Sequence, residues 1–294
     1  MKLIIVIIII VLILIIFYYN NNTSCFTNKF EAVPKIIWSY WHDLSNMPTI
    51  VSKCINTWKI NNTNYTINVL DDKLFDDLTG ININKIFRIT NNKSYQKKSD
   101  FIRLYIIYLY GGIWMDASMI CMKPEPFNFN SIDYEFFGYL APNSEVDQLI
   151  DSWFLAAIPR STFVKDWLTE FSISLSYTNE TSYCTSMYNK MYVPKRLKNL
   201  LPYLTIHLCA WAVVNRNPTK YRLYLENSTD VGGPLYYIAK HNWSVYHMLS
   251  DISNNGIVDM KIFKLTGPMR HSLSSMKVNI QSGNPYLDYV IKNN

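Results

Sequence analysis

Two acidic residues and an arginine that could act together lie within one short run of the chain. Asp100 and Arg103 are three residues apart in a stretch with helical periodicity, so both would lie on one face of the helix. An isolated pair at this spacing is more often a surface ion pair. Here the helical stretch stops at Gly111 and Gly112, and a short apolar run then leads into Asp116. This combination favours a functional site over a surface pair.

The position of Asp116 indicates what chemistry such a site could support. It follows an apolar run and precedes two small residues, Ala117 and Ser118. In parallel α/β sheets, ligands bind beyond the carboxyl ends of the strands. A carboxylate there can hold a hard divalent cation against a diphosphate, and the ion would stabilise negative charge on a departing phosphate. The two glycines would let the chain turn sharply and approach a ligand closely.

The surrounding periodicity predicts the elements that must position these residues. Apolar residues at helical spacing predict helices over 48–60, 95–110 and 161–175, and β-branched and aromatic runs predict strands over 34–41, 65–72, 113–115, 134–140 and 152–158. Because strands and helices alternate through the first half of the chain, we expect an α/β fold with a mostly parallel sheet.

The composition excludes one class of protein and leaves another question open. The net charge of the 294 residues is only +6 and the basic residues are scattered, so nucleic-acid binding is not expected. The five cysteines form no C-x-x-C pair and have no metal-ligand spacing. They do not describe a disulfide framework, although one or two bridges would be compatible with the sequence.

The chain begins with an apolar segment that predicts a membrane anchor. Residues 3–19 contain no charge and would span roughly 26 Å as a helix, near the lower limit for crossing a bilayer. A cleaved signal peptide is the alternative. However, the apolar run ends in a Tyr pair, which suits a membrane interface, and no small-residue cleavage site follows it. Lys2 would keep the N-terminus in the cytosol. We therefore expect a single-pass type II protein with a signal anchor at 1–19, a stalk at 20–33 and a folded body at 34–294.

Potential glycosylation sites agree weakly with passage through a secretory compartment. Eight N-x-S/T sequons occur, at Asn21, Asn22, Asn61, Asn64, Asn92, Asn179, Asn227 and Asn242. An Asn-rich chain produces such sequons freely, so their number is suggestive only. In a eukaryote, or in a virus of a eukaryotic host, the body would face the lumen of the Golgi or the endoplasmic reticulum and would be a glycoprotein.

The run SDFIRLYIIYLYGGIWMDAS resembles the signature of the capsular polysaccharide synthesis glycosyltransferases, a family related to the sugar transferases with a DxD motif. The segment VPKIIWSYWH, 33–42, resembles the first strand of that family. The segments SWFLAA, 152–157, and FKLTG, 263–267, also resemble sequence patterns of that family. The resemblance implies a GT-A type, Rossmann-like nucleotide-sugar-binding fold. It also implies transfer of a sugar from a nucleoside diphosphate sugar to a glycan or other polyol acceptor, with retention of anomeric configuration.

Carried over to this sequence, the resemblance implies a donor-binding role for several residues. Asp100 and Arg103 would bind the hydroxyls and the phosphate side of the donor sugar, with Ser99 and Gly112 beside them. Trp41 would stack on the nucleotide base. Asp71, at the end of the second strand, would approach the base or ribose, although acids at strand ends also cap helices.

The resemblance also implies a divalent cation, Mn²⁺ or Mg²⁺, held by Asp116. Ser118 stands where the DxD pattern has its second carboxylate, which leaves the predicted metal coordination thinner. His271 would be a further ligand, with His207, His241 and His247 as alternatives. Catalysis would then depend on Asp116, Asp100 and Arg103.

Two other functions remain open from the sequence. One is a catalytically silent, membrane-anchored member of the same fold that binds glycans or partners, which the missing second carboxylate favours. The other is a membrane-tethered phosphosugar transferase, but the acidic and histidine motifs that it would need are not found in this sequence.

Overall fold

A computed structural model describes residues 32–89, 94–129, 132–143, 148–177, 180–190, 203–275 and 281–292. Within these ranges no helix is both long enough and apolar enough to cross a bilayer. The predicted anchor and nearly all of the predicted stalk lie outside the described residues, so both stay predictions.

The described chain contains strands and helices in alternation. The strands are β1 (Ile36–Tyr40), β2 (Thr66–Leu70), β3 (Gly112–Met115), β4 (Met119–Cys121), β5 (Phe136–Leu140), β6 (Ile150–Ala157), β7 (Leu223–Asn227) and β8 (Ile262–Lys264). The helices are α1 (Thr49–Asn61), α2 (Asp72–Thr79), α3 (Ile83–Ile89), α4 (Tyr95–Tyr110), α5 (Thr162–Ser176), α6 (Glu180–Lys190), α7 (Thr205–Arg216), α8 (Tyr236–Lys240), α9 (Val245–Asn255), α10 (Gly267–Ser275) and α11 (Pro285–Ile291). The helices and strands predicted in the first 176 residues are confirmed to within a few residues.

The main sheet is mixed, and the prediction of a mostly parallel sheet is therefore only partly right. Its strand order is β2-β1-β3-β6-β5-β7. The first three strands are parallel to one another, and β5 is parallel to β7. However, β6 runs antiparallel to both of its neighbours. Strand β6 is buried along its whole length, and its apolar residues from Trp153 to Ala157 do not reveal strand direction.

The three parallel strands bring their carboxyl ends to one edge of the sheet. Trp38 of β1 is level with Trp114 of β3, and Tyr40 of β1 is level with Leu70 of β2. The residues that follow these strands, namely Trp41, Asp71 and Asp116, consequently emerge at the same edge. This is the edge where the sequence predicted a ligand site.

Each face of the sheet is covered by its own hydrophobic core. Helices α2 to α7 pack on one face, and α1, the β4–β8 pair and helices α8 to α11 pack on the other. Trp38 points into the first core and its neighbour Ile37 into the second, as the period of a strand requires. The predicted core role of Trp38 is confirmed.

The buried cysteines and the buried Asn61 bear on two sequence features, the possible disulfides and the potential glycosylation sites. Cys54, Cys121, Cys184 and Cys209 are buried free thiols, so no bridge links these four cysteines. Asn61 is also buried, and its side-chain amide donates to the carbonyl of Cys121 at 3.1 Å. The sequon at Asn61 is consequently inaccessible in the folded protein.

Two glycines form the turn that links α4 to β3. Gly111 and Gly112 have φ angles of +61° and +90°, a region in which L side chains are strained. A Cβ atom on Gly111 would lie 2.6 Å from the backbone nitrogen of Pro159. A Cβ atom on Gly112 would lie 2.6 Å from the carbonyl oxygen of Ile36. Glycine is therefore required here by the close approach of neighbouring backbone.

Candidate active site

Arg103 is the centre of a buried charged cluster at the carboxyl edge of β3. Its Nη2 atom lies 3.3 Å from Oδ1 of Asp100 and 3.4 Å from Oδ1 of Asp116. Its Nη1 atom donates to the carbonyl oxygen of Ser152 at 2.5 Å. The guanidinium also lies over the Trp114 ring, 5.3 Å from its centroid. Helix α4 and strands β3 and β6 are thus joined through one side chain, and the predicted pairing of Asp100 with Arg103 is observed.

Asp116 is the more accessible of the two carboxylates. Its side chain is 28% exposed, against 9% for Asp100. Its Oδ1 atom accepts from the indole nitrogen of Trp114 at 3.2 Å, and its backbone N–H donates to the Trp153 carbonyl at 2.9 Å. The carboxylate is therefore held in a fixed position while one side of it faces solvent.

Lys264 is a member of the cluster that the sequence analysis did not identify. It ends β8, which pairs antiparallel with β4 so that Lys264 is level with Met119. Its ammonium donates to Oδ2 of Asp116 at 2.8 Å and to Oγ of Ser118 at 3.1 Å. The only signal in the sequence was its place inside FKLTG, a segment whose resemblance to the family does not single out the lysine.

Three cations and two carboxylates of the described residues meet in this cluster. Lys97 lies 4.0 Å from Asp100, beside the contacts that Arg103 and Lys264 make. Burial raises the pKa of Asp100, against the opposing charges of Arg103 and Lys97. Burial would also raise the pKa of Asp116, but Lys264 and Arg103 outweigh it and hold that pKa below its usual value. A site with these cations, partly open at the Asp116 carboxylate, suits an anionic ligand that also carries hydroxyl groups.

The charged cluster lies within a part of the chain that matches a known protein family. The model of a family described as "Capsular polysaccharide synthesis protein" matches residues 14–266, which include the whole charged cluster. The chain belongs to this family. The resemblance inferred from the 99–118 and 33–42 segments is therefore confirmed.

A curated relative agrees with the family. The O-glycosyltransferase braB of Annulohypoxylon truncatum is 28% identical over 155 residues, which cover 47% of this chain and 37% of that protein. The chain therefore matches well under half of the length of that relative.

Two solved structures share a distant similarity. One is titled "PaToxG Glycosyltransferase", with 14% identity, a TM-score of 0.36, and coverage of 63% of this chain and 79% of that chain. The other is titled "Crystal structure of a glycosyltransferase involved in the glycosylation of the major capsid of PBCV-1", with 12% identity and a TM-score of 0.41. It covers 81% of this chain and 95% of the other.

Three of the predicted donor-site residues, Ser99, Trp41 and Asp71, make contacts of different kinds. Ser99 supports Arg103, because its Oγ accepts from Nη2 of the arginine at 3.2 Å. Trp41 is half-buried at the end of β1, and the Arg270 guanidinium lies 5.8 Å from its ring centroid. Asp71 caps α2, since its Oδ1 accepts from the backbone N–H of Leu74 at 2.7 Å. The helix-capping role that the sequence left open for Asp71 is thus the one observed.

Gly112 does not join the other predicted donor-site residues. It begins β3, whereas Asp116 follows the end of the same strand. Four residues of extended chain separate the two positions by about 13 Å. The backbone that Gly112 approaches closely is that of Ile36, at the opposite end of the strand from the cluster. Gly112 therefore has a structural role at the start of β3, and its predicted contact with the donor stays a prediction.

The residues expected to hold a divalent cation do not fit one in the described arrangement. The Lys264 ammonium takes the position between Asp116 and Ser118, the two nearest predicted ligands. His271 is exposed on α10. Among the described residues, no group of three or more His, Cys, Asp or Glu side chains could hold a metal ion. The Mn²⁺ or Mg²⁺ ion stays a prediction.

The alternative histidine ligands have other positions. Nε2 of His207 lies 3.4 Å from Oδ1 of Asp151, and Asp151 is the residue before Ser152. Nε2 of His241 lies 2.8 Å from Oδ2 of Asp251. His247 is exposed on α9. Of these, His207 is near the cluster, because its partner Asp151 precedes the residue that accepts from Arg103.

Proposed function

We propose that this protein transfers a sugar from a nucleoside diphosphate sugar to a hydroxyl group of a glycan or another polyol. The observation that supports the proposal is the buried Arg103 cluster at the carboxyl edge of the parallel strands, in which the Asp116 side chain is 28% exposed. A diphosphate needs positive charge and a sugar needs carboxylate acceptors, and both are present within one cluster.

In the proposed reaction, the acceptor oxygen forms a bond to the anomeric carbon as the bond from that carbon to the diphosphate oxygen breaks. The nucleoside diphosphate leaves with the bonding electrons, and the acceptor hydroxyl, attacking the same face of the sugar, passes its proton to the departing phosphate oxygen. We propose that the anomeric configuration is retained. Asp116 would accept hydrogen bonds from ribose or sugar hydroxyls through the side of its carboxylate that faces solvent.

Arg103 has a positioning role in this proposal. Its side chain is only 7% exposed, and its N–H groups contact Ser99, Ser152 and the two aspartates. A guanidinium with so many partners fixes Asp116 against the strand end and leaves little of its surface for the donor. The direct clamp on the donor that the sequence predicted for Asp100 and Arg103 would require these contacts to rearrange.

The proposal is tested by incubating the full-length protein in detergent with a panel of uridine and guanosine diphosphate sugars. Release of the nucleoside diphosphate is measured without acceptor and with simple glycan acceptors, in EDTA and in Mn²⁺. The anomeric configuration of any product is determined by NMR. We expect release from at least one donor, and loss of that release in Asp116→Asn.

A catalytically silent member of the family is the competing function. The serine at position 118, in the place of a second carboxylate, favours it. Binding of a nucleotide sugar by calorimetry with no release of nucleoside diphosphate, in EDTA and in Mn²⁺ alike, would show that this alternative is right and the proposed transfer wrong.

A further inference from the structure

The Lys264 ammonium lies where the sequence places a divalent cation. It is 2.8 Å from Oδ2 of Asp116 and 3.1 Å from Oγ of Ser118. These two oxygens belong to the residues that align with the two carboxylates of a DxD motif. One side chain of this protein therefore makes the contacts that a bound metal ion would make.

The position of Lys264 is fixed by backbone as well as by its side chain. Its own N–H donates to the Pro234 carbonyl at 3.0 Å, and the N–H of Leu265 donates to the Ser118 carbonyl at 3.0 Å. The residue is 8% exposed, and its ammonium lies 6.0 Å from the centroid of the Trp153 ring. Strand β8 thus holds this lysine in the site, in contrast to a surface lysine that moves freely.

The charge of Asp116 is matched without a metal ion. Two carboxylates carry a formal charge of −2, which a divalent cation neutralises. Here the second position is Ser118, which is neutral, and the one carboxylate, Asp116, is already paired with the Lys264 ammonium at Oδ2 and with the Arg103 guanidinium at Oδ1. The replacement of an acid by serine and the presence of lysine are therefore complementary changes.

An ammonium is suited to the anion that this site is proposed to bind. It carries three N–H donors, of which the contacts with Asp116 and Ser118 use two. Lysine binds phosphate as a compact point charge, and it needs no planar geometry to do so. Because Asp116 faces solvent, a diphosphate that approaches this carboxylate also approaches the ammonium.

We propose that Lys264 is the cation that binds the donor diphosphate and stabilises the charge on the departing nucleoside diphosphate, in place of a divalent metal ion. This inference rests on the proposed glycosyl transfer. It predicts that the protein transfers sugar in the presence of a chelator, through a cation supplied by its own chain.

The first experiment uses the full-length wild-type protein and the nucleotide sugar from the donor panel that gives release of nucleoside diphosphate. Nucleoside diphosphate release is measured in EDTA and across a Mn²⁺ titration, and binding of the free nucleoside diphosphate is measured by calorimetry in EDTA. We expect release in EDTA to be within about twofold of that in Mn²⁺, and binding to persist in EDTA.

The second experiment removes the ammonium. Lys264→Met keeps the length and apolar character of the side chain, and we expect release in EDTA to fall by at least about 100-fold, as for loss of one preorganised charge donor. Lys261→Met is the matched control, because Lys261 lies just before β8, is half exposed, and pairs with Glu226 away from the cluster. We expect this control to keep the activity of the wild type.

A third variant introduces a second carboxylate as a metal ligand in place of Ser118. Lys264→Ala combined with Ser118→Asp provides a second carboxylate and the space for an ion. We expect this double variant to be inactive in EDTA and to recover activity with Mn²⁺, and to bind Mn²⁺ by calorimetry where the wild type does not.

The outcomes separate the two proposals. Wild-type activity that is abolished by EDTA and restored by Mn²⁺ would overturn the role of Lys264 while leaving the proposed transfer intact. Full activity of a folded Lys264→Met variant in EDTA would also overturn it. No release from any donor under either condition would instead contradict the proposed transfer. Should Lys264→Met fail to fold, the response of the wild type to EDTA decides.

Discussion

Nη2 of Arg103 lies 3.4 Å from Oδ1 of Asp116, so the helix before the two glycines and the strand after them meet through their side chains. The same guanidinium binds the carbonyl of Ser152 on the next strand of the sheet. Because Arg103 is buried, these contacts are protected from the solvent that weakens surface ion pairs. The position of the exposed carboxylate thus depends on a residue that is itself closed to solvent.

Replacement of Arg103 by lysine tests this dependence. A lysine keeps the charge but has no planar fork, so it cannot contact Asp100, Asp116 and the Ser152 carbonyl together. We expect kcat for nucleoside diphosphate release to fall by about 100-fold or more, with a lower melting temperature. Arg88→Lys, on the exposed surface of α3, is the control and should behave as the wild type. Near-normal kinetics of Arg103→Lys would contradict the positioning role.

Asp116 and Ser118 should differ in importance. Asp116→Asn removes the anion that faces both Arg103 and Lys264, and a buried charge that loses its partner is costly. We expect near-complete loss of transfer from a protein that still folds. Ser118→Ala removes one acceptor of the Lys264 ammonium, and we expect a loss of about tenfold, or about 1.4 kcal/mol on the barrier. Steady-state kinetics give the ranking, and a larger effect for Ser118→Ala would reverse this assignment.

The glycine at the start of β3 should be needed for stability. Gly112→Ala combines a positive φ angle with a Cβ atom 2.6 Å from the Ile36 carbonyl oxygen. Gly80→Ala also has a positive φ angle, but no atom lies within 4 Å of its Cβ position. We expect about 1–2 kcal/mol of destabilisation for Gly80→Ala from the backbone alone, and a clearly larger loss for Gly112→Ala. Urea unfolding of the two variants measures the difference, and equal losses would show that the contact is relieved at no cost.

The buried thiols should be unreactive in the native protein. Burial raises the pKa of both Cys54 and Cys121 to about 12, so almost none of either thiol is ionised at pH 8. Thiolate is the reactive form, and Cys184 and Cys209 are also buried. In a Cys25→Ser variant, we expect iodoacetamide to label no cysteine at pH 8 and four in urea, counted by mass spectrometry. Rapid labelling of Cys54 in the native state would show that the core around it opens.

The predicted membrane topology can be tested through the sequons. If the body enters the lumen of a eukaryotic secretory pathway, a glycosidase should shift the mobility of the full chain. We expect Asn64→Gln and Asn242→Gln, at exposed positions, each to reduce that shift. Thr63→Ala destroys the sequon at the buried Asn61 and should leave the mobility unchanged. A chain that is never glycosylated in such a host would argue against a lumenal body.

The sequence by itself determined the local elements and one edge of the sheet. Helix α4 and strand β3 were predicted closely because their apolar spacing and the two glycines are local signals. The same run indicated that Asp100, Arg103 and Asp116 would act together, and the three side chains are in contact. Residues this near in the chain are brought together by one helix, one turn and one strand.

Only the tertiary structure decided the direction of β6 and the identity of the cation beside Asp116. The apolar residues of β6 carry no signal of strand direction, so the direction is settled by strand pairing across the sheet. Lys264 is 148 residues from Asp116 in the chain, and its ammonium reaches the carboxylate because β8 pairs with β4 just beyond the end of β3. No local pattern encodes a contact of this kind, since it depends on where the packing of two distant segments places one side chain.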